Sequence, residues 1–230
     1  MSTNTPDLAR MRMDYATAAL SETDLAADWH TQFAGWFADA VAAQVLEPNA
    51  MVVATASPEG VPSARTVLMK GFDQRGFTFF TNYESRKGTE LAANPVASLV
   101  FPWYALQRQV IVCGTVERVS RAETEAYFAV RPHASQIGAW ASPQSRVVAG
   151  REELTAAFDE AGDRFPAQVD PPPHWGGFLV RPTSVEFWQG RRSRMHDRLR
   201  FRLAGGLAGD AAGDTDHNGS PEWIVERLAP

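Results

Sequence analysis

With a single cysteine, Cys113, the 230-residue chain forms no internal disulfide, and the position of that residue inside the apolar run 110–114 marks it as a small buried hydrophobe without a catalytic role. No apolar run approaches the roughly 20 residues that span a bilayer. The opening MSTNTPDLARM is polar and has no signal-peptide core, so a cytoplasmic protein is expected. Positive charge is also in short supply. A net charge of -5 excludes general attraction to nucleic acid or anionic lipid, so any basic cluster must act locally. There is no GxGxxG after a first strand and no GxxxxGK[ST], which disfavours a Rossmann or P-loop fold. His30, His133, His174 and His217 have no ligand spacing around His196, so no metal site is expected. No internal repeat is evident.

What is present is enough apolar sequence, 44% hydrophobic against 21% charged, to bury a full core. Residues 8–15 read as a short helix or an ordered arm. Residues 28–44 read as an amphipathic helix: Trp29, Phe33, Trp36, Phe37, Ala40 and Val41 follow the i, i+3, i+4, i+7 pattern, with Asp28 as N-cap. Beyond Pro48 the runs AMVVATA, SARTVLMKGF, GFTFFTN, VASLVFPWY and RQVIVCGTVERVS read as strands, with a helix over 85–94 between the third and fourth. A capping box, Ser120 to Glu123, opens a helix that stops at Pro132; helices near SQIGAWA and 151–165 follow. FLVRP, VEFWQG, LRFRL and EWIVERL read as closing strands, and the Gly/Ala/Asp-rich stretch 204–220 as a mobile hairpin loop. Strands in consecutive runs predict an α+β fold, an antiparallel barrel with peripheral helices. Residues 1–27 are expected to form an N-terminal arm and 28–230 one domain.

Four basic constellations stand out. In TNYESRKG, a strand end runs into a helix with Ser85 as N-cap, which puts Arg86 and Lys87 in the first turn. Cations there oppose the helix dipole unless an anion, such as a phosphate, sits among the free N–H groups; two solvated side chains would read the same. Tyr127 and Arg131, four residues apart, and Ser135 beyond Pro132 form a donor set suited to a phosphate dianion, although Arg131 could equally complement the helix C-terminus. RTVLMK, residues 65–70, reads as a strand buried on both faces and bracketed by charges. Strict alternation puts Arg65 and Lys70 on opposite faces, so either a bulge or two ligand moieties is needed. Finally, in WQGRRSRMHDRLRFRL an extended chain would place Arg192, Arg194, His196, Arg198, Arg200 and Arg202 on one face. Met195, Leu199, Phe201 and Leu203 would lie on the other. A solvated edge strand or a nucleic-acid-binding strand would share that pattern, but the acidic whole and the lack of aromatics on the basic face weaken the latter.

Taken together, EPNAMVVAT, RTVLMK, FFTNYESRKG, FPWYALQRQV, YFAVRPHASQIGAWAS, WGGF and EFWQGRRSRMHDR resemble, in order, the pyridoxine 5'-phosphate oxidase family, from about Leu8 to the terminal ERLAP. The resemblance implies a split β-barrel that binds FMN, a homodimer formed through its C-terminal region, and FMN at the subunit interface. By motif, Arg65, Arg86 and Lys87 correspond to ligands of the FMN phosphate, while Thr66, Val67, Leu68, Met69, Lys70, Phe80 and Thr81 flank the flavin. Gln109, Gln144, Ser145, Trp188 and Arg198 contact the cofactor. Lys70, Tyr127, Arg131 and Ser135 resemble the substrate phosphate site, and Arg194 and His196 the catalytic pair against the pyridine ring. Arg12 and Tyr15 match a substrate-closing N-terminal segment. Phe80 departs from the tyrosine frequent in relatives, and the 204–220 loop looks longer than usual.

The implied reaction is oxidation of pyridoxine or pyridoxamine 5'-phosphate by O2 to pyridoxal 5'-phosphate, the redox chemistry belonging to the cofactor and the positioning to the protein. Two alternatives remain: a split-barrel oxidase of another aromatic such as a phenazine precursor, which would not need Lys70, Tyr127, Arg131 and Ser135 together, and a non-catalytic flavin-binding or nucleic-acid-binding barrel.

Overall fold

The computed structural model describes residues 7–10, 14, 15, 18–205 and 222–230. Arg12 and most of the 204–220 stretch lie outside them. Nine strands and five α-helices are described, with every strand pair antiparallel. The strands are β1 (Ala50–Ala56), β2 (Pro62–Leu68), β3 (Gly71–Asp73), β4 (Gly76–Asn82), β5 (Val96–Trp103), β6 (Arg108–Arg118), β7 (Trp175–Gln189), β8 (Asp197–Leu203) and β9 (Trp223–Arg227). The sheet order is β2-β1-β5-β6-β7-β4-β3, with β8 on β7 and β9 on β8. β2 and β3 are one run of chain broken at Met69 and Lys70. Its first half pairs with β1 and its second with β4, while the Lys70 N–H donates to the Thr78 carbonyl, so this run draws the two ends of the sheet together into a split barrel.

Local chemistry sets the helices. Asp28 accepts from the Thr31 N–H and opens α1 (Trp29–Ala42), whose Trp29, Phe33, Trp36 and Ala40 are buried. Phe33 meets Phe37, Phe72, Phe77, Phe101 and Trp103 in the main core. Val41, expected on the same face, is exposed, because it falls at the flank of the stripe. Ser85 caps α2 (Arg86–Ala93), and the full capping box of Ser120 and Glu123 opens α3 (Arg121–Ala129). Helices α4 (His133–Ala141) and α5 (Arg151–Arg164) close a second core of Phe128, Ile137, Ala139, Ala161, Val169 and Trp175. Cys113 is half-buried, with its Sγ 3.7 Å from the Ser98 hydroxyl.

Four local expectations are corrected. FLVRP and VEFWQG are one strand, β7, which passes through Pro182 because the register against β6 shifts between Cys113 and Gly114; the irregularity accommodates a residue that cannot donate. RTVLMK is not buried on both faces: β2 is an edge strand, with Thr66 and Lys70 exposed and Met69 buried. Arg131 lies beyond the last turn of α3 instead of one helical turn after Tyr127. The arginine-rich segment is not extended throughout. Residues Arg192–Arg194 form a 3-10 turn in which Ser193 (φ 57°) and Arg194 (φ 61°) take left-handed conformations, so Met195 is exposed and the strand starts at Asp197. From there the alternation holds, with Leu199 and Phe201 buried. The other face is neutralised: Arg198 pairs with Glu186, and both Arg200 and Arg202 pair with Glu226.

Candidate functional site

The side chains singled out in the sequence gather into three groups. The first lies where β4 runs into α2. Lys87, buried in the first helical turn, donates to Thr81 Oγ1 at 3.1 Å and to Gln144 Oε1 at 3.1 Å, and Thr81 donates to the same Gln144 oxygen at 3.0 Å. This turn sits tight against the chain before it: a Cβ on Gly88 would stand 2.2 Å from the Tyr83 carbonyl oxygen. Burial, and next the charge of Arg65, push the Lys87 ammonium down to about 8. Arg65 reaches the Val53 carbonyl, Thr55, Ser63 and Glu90, and Arg86 donates its Nε to Glu90 at 2.9 Å. A buried lysine beside two arginines at a helix start is a site short of negative charge, which suits a phosphate. Ser145, exposed with φ 71°, follows Gln144. Along β2, Thr66, Val67 and Leu68 pair with β1 on one side only, leaving the outer backbone groups of an edge strand for a polar ring.

The second group sits on Phe80, next to Thr81 in β4. Phe80 stacks on Tyr127 (4.1 Å between centroids) and on Trp175 (5.5 Å), and Gly177 leaves room for its ring, since a Cβ there would stand 2.8 Å from it. Arg131 lies over Trp175, 4.5 Å from its centroid, and Lys70 lies 6.0 Å from the centre of the Tyr127 ring. Arg131 Nη1 is buried with no hydrogen-bond partner among the described residues, and burial pushes the guanidinium down from its ordinary range. An unpaired buried guanidinium nitrogen is costly unless an anion completes it. Ser135, half-buried, lies in the first turn of α4.

The third group lies at the other end of β7. Gln109, Trp188 and Arg198 form one cross-strand row over β6, β7 and β8. His196 packs 4.6 Å from Trp188, and Tyr15 covers both, at 5.9 Å from Trp188 and 5.8 Å from His196. Arg194 is exposed beside them and Arg198 is held by a double hydrogen bond to Glu186. Trp175 of the second group and Trp188 of the third are 13 residues apart on one strand, about 43 Å of chain at ~3.3 Å per residue.

Sequence reasoning missed the acids that hold these cations, Glu90 for Arg65 and Arg86 and Glu186 for Arg198. Only Glu90 carried a local signal, its i, i+4 spacing from Arg86 on α2; the Glu186–Arg198 pair is a register contact between strands. Among the described residues no three His, Cys, Asp or Glu side chains are grouped as metal ligands, and no helix is long and apolar enough to cross a membrane.

Similar proteins cover nearly the whole chain. The pyridoxamine 5'-phosphate oxidase family matches residues 37–165, and the pyridoxine 5'-phosphate oxidase C-terminal dimerisation region matches 175–230. A pyridoxine/pyridoxamine 5'-phosphate oxidase of Salinispora arenicola is 57% identical over 225 residues, covering 96% of each chain, and one of Cupriavidus necator is 53% identical, covering 97% of this chain and 99% of the relative. Among solved structures, PhzG from Burkholderia lata, in complex with tetrahydrophenazine-1-carboxylic acid, superposes with a TM-score of 0.81 at 28% identity over 94% of this chain and 99% of its own. By descent and by its split-barrel fold, the chain belongs to the pyridoxamine 5'-phosphate oxidase family.

Proposed function

We propose that the protein is an FMN-dependent oxidase that converts pyridoxamine 5'-phosphate and pyridoxine 5'-phosphate to pyridoxal 5'-phosphate. The observation that carries this reading is the unpaired, buried Nη1 of Arg131 beside Tyr127 and Lys70. It supplies a second place for an anion, apart from the one at Lys87, as a phosphorylated substrate lying against a phosphorylated cofactor requires. When bound, FMN would supply hydride-acceptor and O2-reducing chemistry for a two-electron oxidation at C4' of the substrate, whose hydroxyl or amine would give up a proton, with hydrogen peroxide released; the imine formed from the amine would hydrolyse to the aldehyde and ammonia.

The protein's own part is to hold and orient. Arg65, Arg86 and Lys87 bind the cofactor phosphate, and the outer edge of β2 at Thr66, Val67, Leu68, Met69 and Lys70, with Phe80, Thr81, Gln144 and Ser145, borders the flavin. Lys70, Tyr127, Arg131 and Ser135 bind the substrate phosphate. Arg194 and His196 face the pyridine ring, with Tyr15 covering them and Gln109, Trp188 and Arg198 lining the cofactor. The second and third groups occupy opposite ends of β7, so the site is completed in a homodimer in which one protomer supplies the Trp188 end and its partner the Trp175 end. The match of residues 175–230 to a dimerisation region supports that assembly.

The similarity to PhzG favours a second reading, oxidation of a reduced phenazine carboxylate. The substrate that elicits peroxide release separates the two. Pyridoxine 5'-phosphate should be turned over with kcat/KM at least about 100-fold above that for pyridoxine, since two or more charge-assisted contacts to phosphate are at stake. Equal rates with and without the phosphate, or turnover confined to the phenazine precursor, would overturn the proposal.

A further inference from the structure

Glu90 is a buried acid at the centre of the first cationic group, and no step of the proposed reaction uses it. Its two oxygens serve different elements. Oε2 accepts from Thr55 of β1, from Ser63 of β2 at 2.5 Å and from Arg65 Nη2 of β2 at 3.4 Å, while Oε1 accepts from Arg86 Nε of α2 at 2.9 Å. Thr55 and Ser63 in turn accept from Arg65, at 2.6 and 2.5 Å. Arg65 is thus fixed through both terminal nitrogens, and Arg86, whose side chain is otherwise largely exposed, is fixed at its neck; its two Nη groups make no hydrogen bond among the described residues.

We infer that Glu90 is the positioning residue of the cofactor phosphate site, holding Arg65 and Arg86 from two separate elements in one fixed array before the phosphate arrives. Three cations in one place would otherwise spread apart, and ordering two long side chains on binding carries an entropic cost that a preformed array avoids. Although burial pushes the Glu90 carboxyl up, the hydrogen bonds from Ser63, Thr55 and Arg86 outweigh it and hold the group at about 2, so it stays charged at any working pH. The inference rests on the reading that this group binds the FMN phosphate.

The test is titration of apoprotein with FMN and, in parallel, with riboflavin, which lacks the phosphate, each followed by flavin fluorescence. The wild type should bind FMN far more tightly than riboflavin. In Glu90→Gln the carboxamide keeps the size but presents an N–H toward Arg86, and FMN affinity should fall by about 10-fold while riboflavin affinity changes by less than about 2-fold. Thr55→Val, which removes one donor to Glu90 and one acceptor from Arg65, should move FMN affinity the same way by a smaller factor and decides the matter if Glu90→Gln does not fold. A wild-type preference for FMN that both variants retain in full, or tighter FMN binding by either, overturns the role of Glu90. A purely structural role would weaken FMN and riboflavin alike. If the wild type shows no preference for FMN, it is the phosphate-site reading that fails, and the inference with it.

Discussion

The backbone N–H of Arg191 donates to Nδ1 of His196 at 3.0 Å, which assigns the remaining ring proton of the neutral imidazole to Nε2. The same turn is tied further back: Asp197 accepts from Arg191 and Arg227 and from the Leu20 N–H, and Arg227 also holds Glu22. His196 therefore faces Trp188 and Tyr15 as a fixed donor on a turn braced by both ends of the chain.

Burial, and then the charge of Arg194, hold His196 below the 6.5 of a free imidazole. The ring should be neutral across the neutral pH range and charge only below 6.5. Removing the nearby cation relieves part of this, so Arg194→Gln should raise the His196 pKa while lowering kcat/KM. An NMR titration of the ring protons reads the first effect directly; a pKa that does not move in the variant would show that Arg194 does not bear on His196.

Arg131 combines a flat contact with Trp175 and an unspent donor, which an ammonium cannot reproduce. Arg131→Lys should lower kcat/KM for pyridoxine 5'-phosphate by roughly 10- to 100-fold, about 1.5 to 3 kcal/mol for a charge-assisted contact. The loss should fall mainly on KM, and activity on unphosphorylated pyridoxine should barely change. Equal losses on both substrates would place the defect in the fold.

Lys87 gives FMN binding its own pH dependence. In the free protein its ammonium is pushed down to about 8, first by burial and second by Arg65. A bound phosphate dianion favours the charged form and raises that value. Below about 8 the lysine is already protonated and affinity should be flat with respect to this group; above it, binding must take up a proton, so log affinity should fall with a slope approaching -1. Isothermal titration at several pH values checks this, and Lys87→Met should abolish the slope along with much of the affinity. Affinity rising above pH 8 would exclude a phosphate at Lys87.

The elements that were legible in the sequence are those specified by neighbours in the chain. Asp28, Ser85 and the Ser120–Glu123 box each cap a helix within three residues of themselves, and AMVVATA and GFTFFTN carry the β pattern without interruption. Less legible were features that depend on a partner strand or on backbone strain. Pro182 looked like a strand end because the bulge beside it, at Thr183, shows only in the register against Cys113 and Gly114 of β6, about 70 residues away in the chain. The alternation over Arg192 to His196 failed because Ser193 and Arg194 adopt left-handed φ, which no side-chain pattern announces. Arg200 and Arg202 read only as members of a cationic face because their partner, Glu226, comes from β9.

The central claim, a substrate oxidised by the bound flavin, is tested most directly by mixing the FMN-loaded protein with pyridoxamine 5'-phosphate under strict exclusion of oxygen and recording the visible spectrum. Loss of the oxidised flavin bands, with pyridoxal 5'-phosphate formed in equal amount to FMN and the bands restored when air is admitted, is the predicted result. A spectrum that stays oxidised with both pyridoxamine 5'-phosphate and pyridoxine 5'-phosphate would contradict it.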